Sequence, residues 1–236
     1  MIQTKNLTKK FGKLVAVNEV NLTINDNECF ALLGLNGAGK TTLLNMLSTQ
    51  ILPSEGTASI NGFDLVLDKE KIRKIINISP QENAVAKNLT VKENLNLVAT
   101  LYDIPDKQNA VAKILQEFGL TEKENSQSKK LSGGQSRRLS IALAMITKPK
   151  ILFLDEPTLG LDVKARKILW DTIEKLKNKT TIILTTHYLE EVEFLADRIA
   201  IMSKGKIKVC GNLQEIKNKT NCDSLEQAFL NLTEEE

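Results

Sequence analysis

The sequence predicts an α/β protein with a helical lobe set into its core, and three observations carry that prediction. Cys29–Leu33 is an apolar run that reads as a buried strand, Lys150–Leu154 is a continuously apolar strand fit for a parallel sheet covered on both faces, and Thr180–Thr185 is the next strand. The run Gly34-Leu35-Asn36-Gly37-Ala38-Gly39-Lys40-Thr41 joins the first of them to a helix beginning Thr41-Thr42-Leu43, and it matches G-x-x-x-x-G-K-[ST]. From Thr90 to Lys148 the periodicity is helical instead.

Taken in order, residues 2–33 are β-rich, with Val and Leu from Phe11 to Ile24 and a turn at Asn25-Asp26-Asn27. A short strand at Thr57–Ile60 leads into a hairpin turn at Asn61-Gly62, and Ile75–Ser79 is another apolar run, ending at Pro80-Gln81. Thr90-Val91-Lys92-Glu93 is a capping box that opens a helix through about Tyr102. A second helix spans Lys107–Phe118 and stops at Gly119, Glu122–Lys130 is a polar loop, and a third helix runs from Ser132 toward Thr147. The lobe therefore covers about residues 84–148.

Beyond the strand at 150–154, a helix from Asp162 to about Lys177 places Ala165, Ile168, Leu169, Ile173 and Leu176 on one stripe, with Trp170 packing beside it. Tyr188–Ala196 is helical. Ile199–Met202 and Lys206–Cys210 flank Ser203-Lys204-Gly205 as a hairpin, and short helices at Leu213–Lys217 and Ser224–Leu230 form a tail over about 212–236 that ends in Glu234-Glu235-Glu236.

Composition narrows the function. The 236 residues are 42% hydrophobic, enough for a sizeable core in one domain. Lys+Arg number 32 against Asp+Glu 29, and a net charge of +3 does not argue for nucleic acid as a partner. The first residues lack a signal peptide's apolar stretch, and runs such as Ile182-Ile183-Leu184 are too short to span a bilayer, so a chain soluble on its own terms is expected. Cys29, Cys210 and Cys222 are too sparse for a disulfide framework or a zinc site, and His187 is the only histidine.

The chemistry sits in three places. A strand feeding a glycine loop feeding a helix aims backbone N–H groups at one spot, which suits phosphate; Lys40 adds a cation and the Thr41 hydroxyl a ligand for Mg²⁺. Asp155 and Glu156 end an apolar strand, where ligands of open α/β sheets bind: Asp155 can hold Mg²⁺ through water, and Glu156 can polarise an attacking water. Leu131-Ser132-Gly133-Gly134-Gln135 combines an S-x-x-Q capping box with two glycines, a second helix start suited to an anion.

These motifs, in this order, resemble the nucleotide-binding subunit of ABC transporters, whose hallmark is LSGGQ; the resemblance covers residues 1–212. It implies a P-loop NTPase core with an antiparallel β subdomain and an inserted helical lobe, and ATP with Mg²⁺ as ligands. It further implies that Phe11 stacks on adenine, that Gln81 senses the γ-phosphate and Mg²⁺, that Asp162 belongs to a loop at a dimer interface, and that His187 contacts the γ-phosphate. The phosphate loop from Gly34 through Thr42 would be covered by Ser132–Gln135 of a second copy or of a related subunit in a head-to-tail dimer.

A separate membrane-spanning permease is the implied partner, docking on about Glu82–Leu101, with the chain on the cytoplasmic face of the cell membrane. Ala84-Val85-Ala86 and Leu89 are apolar enough to dock it and could equally pack internally. The stretch Gln135–Ala144, with Leu143 where amino-acid importers more often carry arginine, and the ending Ser224–Leu230 resemble the drug- and polymer-export type. A non-transport ATPase of the cluster-assembly kind, or an importer subunit, is the alternative.

Overall fold

The computed structural model describes residues 1–177 and 179–234; Glu235 and Glu236 of the acidic ending lie outside the described residues. Strands β1 (Ile2–Phe11), β2 (Leu14–Ile24), β4 (Glu55–Ile60) and β5 (Phe63–Asp64) form an antiparallel sheet in the order β2-β1-β4-β5. Strands β3 (Cys29–Leu33), β6 (Ile76–Ser79), β7 (Ile151–Asp155), β8 (Thr181–Thr186) and β9 (Arg198–Ser203) form the parallel core of a second sheet, and β10 (Lys206–Gly211) adds antiparallel to β9.

The apolar strands are buried on both sides, and their residues alternate between two cores as a pleat requires. Ala31, Leu33, Leu152, Leu154, Ile182 and Leu184 face helices α3 (Val91–Leu101), α4 (Lys107–Glu117), α5 (Gly133–Met145), α6 (Val163–Glu174) and α7 (Leu189–Leu195). Phe30, Leu32, Ile151, Phe153 and Ile183 face α1 (Lys40–Leu47) and the antiparallel sheet, where Leu7, Val17, Val20 and Ile24 meet them. The helical lobe lies between β6 and β7, which are themselves hydrogen-bonded neighbours, so its excursion begins and ends at one edge of the sheet.

Both capping boxes read from the sequence form. The Thr90 side chain accepts from the Glu93 N–H and Glu93 accepts in return; Ser132 and Gln135 do the same at the start of α5. The 122–130 loop contains two single 3-10 turns, and the tail is more helical than expected, with α8 at Leu213–Thr220 and α9 at Leu225–Glu234.

Two expectations need correction. A one-turn helix, α2 (Lys69–Arg73), was invisible because only Ile72 in it is buried. Ile168 is 40% exposed, so it does not belong to the buried stripe of α6, and Ala165 is half-buried. The helix is rotated toward Trp170, which is buried, stacks on Phe194 at 5.3 Å and donates from its indole Nε1 to Glu191. The large ring claims the inward arc that spacing alone had shared with Ile168.

Candidate nucleotide site

The site is an open cleft of about 780 Å³ over the carboxyl ends of β3, β7 and β8. The loop at 34–39 turns out of β3 and delivers α1, whose first backbone N–H groups have no partners within the helix. Gly39 makes the turn possible: its φ is +99°, and a Cβ there would lie 2.3 Å from the Ala16 carbonyl oxygen. Asn36, Gly37, Ala38, Gly39, Lys40, Thr41 and Thr42 line the cleft.

Lys40 is buried, and its Nζ donates to the Gly34 and Leu35 carbonyls at 2.7 and 3.2 Å. The same Nζ lies 3.2 Å from Glu156 Oε1. Glu156 Oε2 is 2.9 Å from His187 Nδ1. One carboxylate thus bridges the loop lysine and the lone histidine.

Glu156 holds a left-handed backbone, φ +44°, which costs about 1–3 kcal/mol in a non-glycine residue. Its N–H is pinned to the Thr185 carbonyl at 3.1 Å and to the Thr185 hydroxyl at 3.0 Å. The strain is therefore paid by β8, and it swings the carboxylate across the cleft instead of along the strand.

Asp155 lies beneath. Its Oδ1 accepts from the Thr41 hydroxyl at 3.0 Å and from the Thr185 hydroxyl. Thr41 and Asp155 are hard oxygen donors within hydrogen-bond distance of each other, a pair that fits Mg²⁺ when phosphate oxygens complete the shell. Among the described residues no group of three or more His, Cys, Asp or Glu could hold a metal by itself. The residues present therefore suit a metal that arrives with its phosphate, not one caged by protein.

Phe11, 50% exposed, stands on the rim with Lys9 Nζ 5.1 Å from its ring centroid, and Gln81 and His187 line the cleft as well. The other expected site residues lie elsewhere in the monomer. Ser132, Gly133, Gly134, Gln135 and Asp162 are not among the lining residues. Asp162 caps α6 by accepting from the Ala165 N–H at 2.8 Å. A Cβ on Gly133 would meet Leu161 at 3.8 Å, so Ser132–Gln135 and the Asp162 turn are neighbours on one face. Gly134 has a packing role that the anion reading did not anticipate. It is buried, and a Cβ there would lie 2.7 Å from the Cβ of Ala165.

Sequence reasoning missed Thr185, although a pair of threonines ending a buried strand was a visible signal. It also missed Leu14, Val15, Ala16, Leu159, Lys204 and Gly205, which line the cleft. These come from hairpins and a loop that only the tertiary fold brings over the phosphate loop.

A cleft with a glycine-rich phosphate loop, a threonine–aspartate pair and a strand-end glutamate defines a P-loop nucleotide site. Residues 17–159, more than half of the chain, match the family model described as ABC transporter. The chain belongs to the ABC transporter family, and its fold is that of the family's ATP-hydrolysing cassette.

It is 41% identical over 224 residues to the human phospholipid-transporting ATPase ABCA3, and 42% identical over 224 residues to ABC transporter A family member 6 of Dictyostelium discoideum. Each alignment covers 92% of this chain but only 13% and 14% of those much longer proteins. Among solved structures, an ATP-binding subunit of an ABC transporter superposes with a TM-score of 0.88 at 29% identity, covering 98% of this chain and 99% of that one. A dimeric ATP-binding cassette in a post-hydrolysis state with ADP and Pi matches with a TM-score of 0.80 at 29% identity, over 90% and 99%.

Proposed function

We propose that this chain binds ATP with Mg²⁺ and hydrolyses it to power a transporter of the export type, working as one half of a two-fold pair of cassettes on the cytoplasmic face of a membrane. The observation that carries this reading is the convergence of Lys40, the Thr41–Asp155 pair and the Glu156–His187 pair in one cleft. In it, Lys40 exchanges Glu156 for the outer phosphates of ATP. Thr41 and Asp155, with Gln81 nearby, hold Mg²⁺, which when bound neutralises charge on the transferring phosphoryl. Glu156, freed from Lys40 but still oriented by His187, accepts a proton from the attacking water.

The monomer leaves this site open to solvent, and its second anion-binding helix start, at Ser132–Gln135, lies outside the cleft. Closure by a second cassette would supply the missing donors and exclude water, and the dimeric post-hydrolysis neighbour supports such pairing. The test is complementation. Lys40→Ala and Ser132→Arg chains should each be nearly inactive alone, and mixing them should restore activity through the one composite site that escapes both changes. No recovery on mixing, with ATP binding of Ser132→Arg intact, would overturn the pairing of two copies.

Among the described residues no helix is long and apolar enough to cross a membrane, and in the proposed transporter these residues work with a membrane-spanning part. In the docking segment, Val85 packs against the core while Ala84 and Ala86 are exposed, so the internal and docking readings divide between neighbours. Leu97, Leu101 and Tyr102 add exposed apolar surface on and just beyond α3. The export direction rests on the likeness to ABCA3, whose name describes a phospholipid transporter. Isolation of the complex from membranes should bring down a permease; recovery of soluble assembly factors alone would favour the non-transport reading.

A further inference from the structure

His187 forms a wall between two recesses. On one side it lines the nucleotide cleft, and on the other it lines a second hollow with Arg166, Tyr188, Glu190 and Ser224. Toward the cleft its Nδ1 is 2.9 Å from Glu156 Oε2, while the side chain stays 27% exposed. A single hydrogen bond to one ring nitrogen sets that distance and leaves the ring plane free to turn about the bond. The histidine χ2 torsion is broad, so only a packed neighbour can fix the plane.

That neighbour is the next residue. The Tyr188 ring lies against the imidazole, with centroids 4.2 Å apart and planes tilted by 38°. Residues adjacent in the chain do not stack automatically. Tyr188 takes an extended backbone, φ −93° and ψ 115°, as the residue that begins α7, and its N–H donates to the Thr186 hydroxyl at 3.1 Å. Thr186 is buried at the end of β8, so the turn carrying His187 is tied down before the two rings meet.

Tyr188 is held in turn from α6. The Arg166 guanidinium carbon lies 4.5 Å from the tyrosine centroid, within reach of the ring's quadrupole. Arg166 Nη1 is also 3.7 Å from Glu190 Oε2, but that carboxylate is 80% exposed, and water weakens such a pair. The Arg166 Nε is buried and has no hydrogen-bond partner among the described residues. An arginine placed for hydrogen bonding would not leave that donor unmet, so its seat is set by the ring. One turn further along α6, Trp170 stacks on Phe194 and donates to Glu191, which keeps α6 and α7 together beside the Arg166–Tyr188 contact.

We propose that Tyr188, seated by Arg166, is a positioning residue that fixes the plane of the His187 ring and through it the aim of the Glu156 carboxylate. Tyr188 does not line the nucleotide cleft, so it acts through His187 and not on ATP. The ring face does this work, and phenylalanine should replace it where leucine cannot. The inference rests on the assignment of Glu156 and His187 to hydrolysis.

The test joins kinetics to a spectroscopic readout on the purified chain. Tyr188→Leu should lower kcat by about tenfold or more while KM for ATP and ADP affinity stay within about twofold, because misalignment costs rate and not binding. Tyr188→Phe should keep kcat within about twofold, and Arg166→Met should lose part of it. The chain has one histidine and two tyrosines, so the His187 ring protons are identified at once in an NMR spectrum. They should show cross-peaks to a tyrosine ring that disappear in Tyr188→Phe, and a ring-current shift that Tyr188→Phe keeps and Tyr188→Leu loses.

A folded Tyr188→Leu chain with unchanged kcat, a loss confined to KM, or a Tyr188→Phe chain as slow as Tyr188→Leu overturns the proposal. Unchanged kcat in Arg166→Met removes Arg166 from it. Normal turnover in His187→Ala overturns instead the assignment beneath it. Should Tyr188→Leu not fold, the unaltered chain decides, and absence of the histidine–tyrosine cross-peaks overturns the proposal.

Discussion

Glu156 is held between Lys40 and His187, with Oε1 3.2 Å from the lysine Nζ and Oε2 2.9 Å from the histidine Nδ1. Both Lys40 and Glu156 are buried, and in this pairing each neutralises the other. On the proposed reading, phosphate would displace the carboxylate from the lysine, and the carboxylate so released would serve as the base.

Glu156→Gln should therefore separate binding from turnover. Phosphate release should fall by about 10²–10⁴-fold, the usual contribution of a general base. ATP should hold the variant as a dimer in size-exclusion chromatography. A variant that hydrolyses ATP at the normal rate while staying monomeric would remove Glu156 from this role.

Lys40→Ala acts one step earlier. It deletes the cation that the Gly34 and Leu35 carbonyls hold in place, and it leaves Glu156 with His187 alone. ATP affinity measured by titration calorimetry should fall by about tenfold or more, since hydrogen bonds to charged groups are worth about 1.5–3 kcal/mol. Unchanged affinity would place the phosphates elsewhere.

Gly134→Ala tests the packing of α5 on α6. The added methyl would lie 2.7 Å from the Ala165 Cβ, so the helices must part. Denaturant unfolding should show a loss of about 1–3 kcal/mol, the range for overpacking a tight contact. Because the Asp162 turn opens α6, activity should fall as well; a variant of unaltered stability would mean that the two helices give way freely.

Glu191 offers a pH test. It is fully buried on α7, accepts from Trp170 Nε1 at 3.2 Å through Oε1, and among the described residues its Oε2 has no hydrogen bond within 3.5 Å, although the Thr186 and Thr158 hydroxyls lie near enough to favour the charged form. Burial pushes its carboxyl above the ordinary value of 4.5, and the charge of Glu156 adds to the shift. The folded state then binds more protons than the unfolded state, so this group costs stability as pH rises above about 4.5 and through its raised value. Glu191→Gln should gain stability relative to the unaltered chain between pH 5 and 8, seen as a difference in melting temperature that widens upward. A difference independent of pH would show that Glu191 does not titrate in this range.

Much of the cleft was legible because its motifs are local. Gly34–Thr41 is a strand, a turn and a helix start, and the constraints on each are set by neighbours in the chain. Asp155 and Glu156 could be placed because a five-residue apolar strand must end at the sheet's carboxyl edge. The capping boxes at Thr90 and Ser132 are closed by residues three apart. Ile168 was misplaced for the opposite reason: which arc of α6 turns inward depends on Trp170, Phe194 and Glu191, and two of those lie on another helix.

The sequence by itself determined that this chain carries a glycine-rich loop of the phosphate-binding pattern, a strand-end carboxylate pair and a capped, glycine-bearing helix start, since each is written in a few contiguous residues. Only the tertiary structure decided how they are joined. It set Glu156 in a left-handed conformation between Lys40 and His187, placed Thr185 beneath both acidic residues, and ran Arg137 from α5 to the carbonyls of two distant segments. It also kept Ser132–Gln135 outside the cleft of its own chain. Contacts between residues far apart in sequence depend on helix rotation and strand order, which local spacing does not encode.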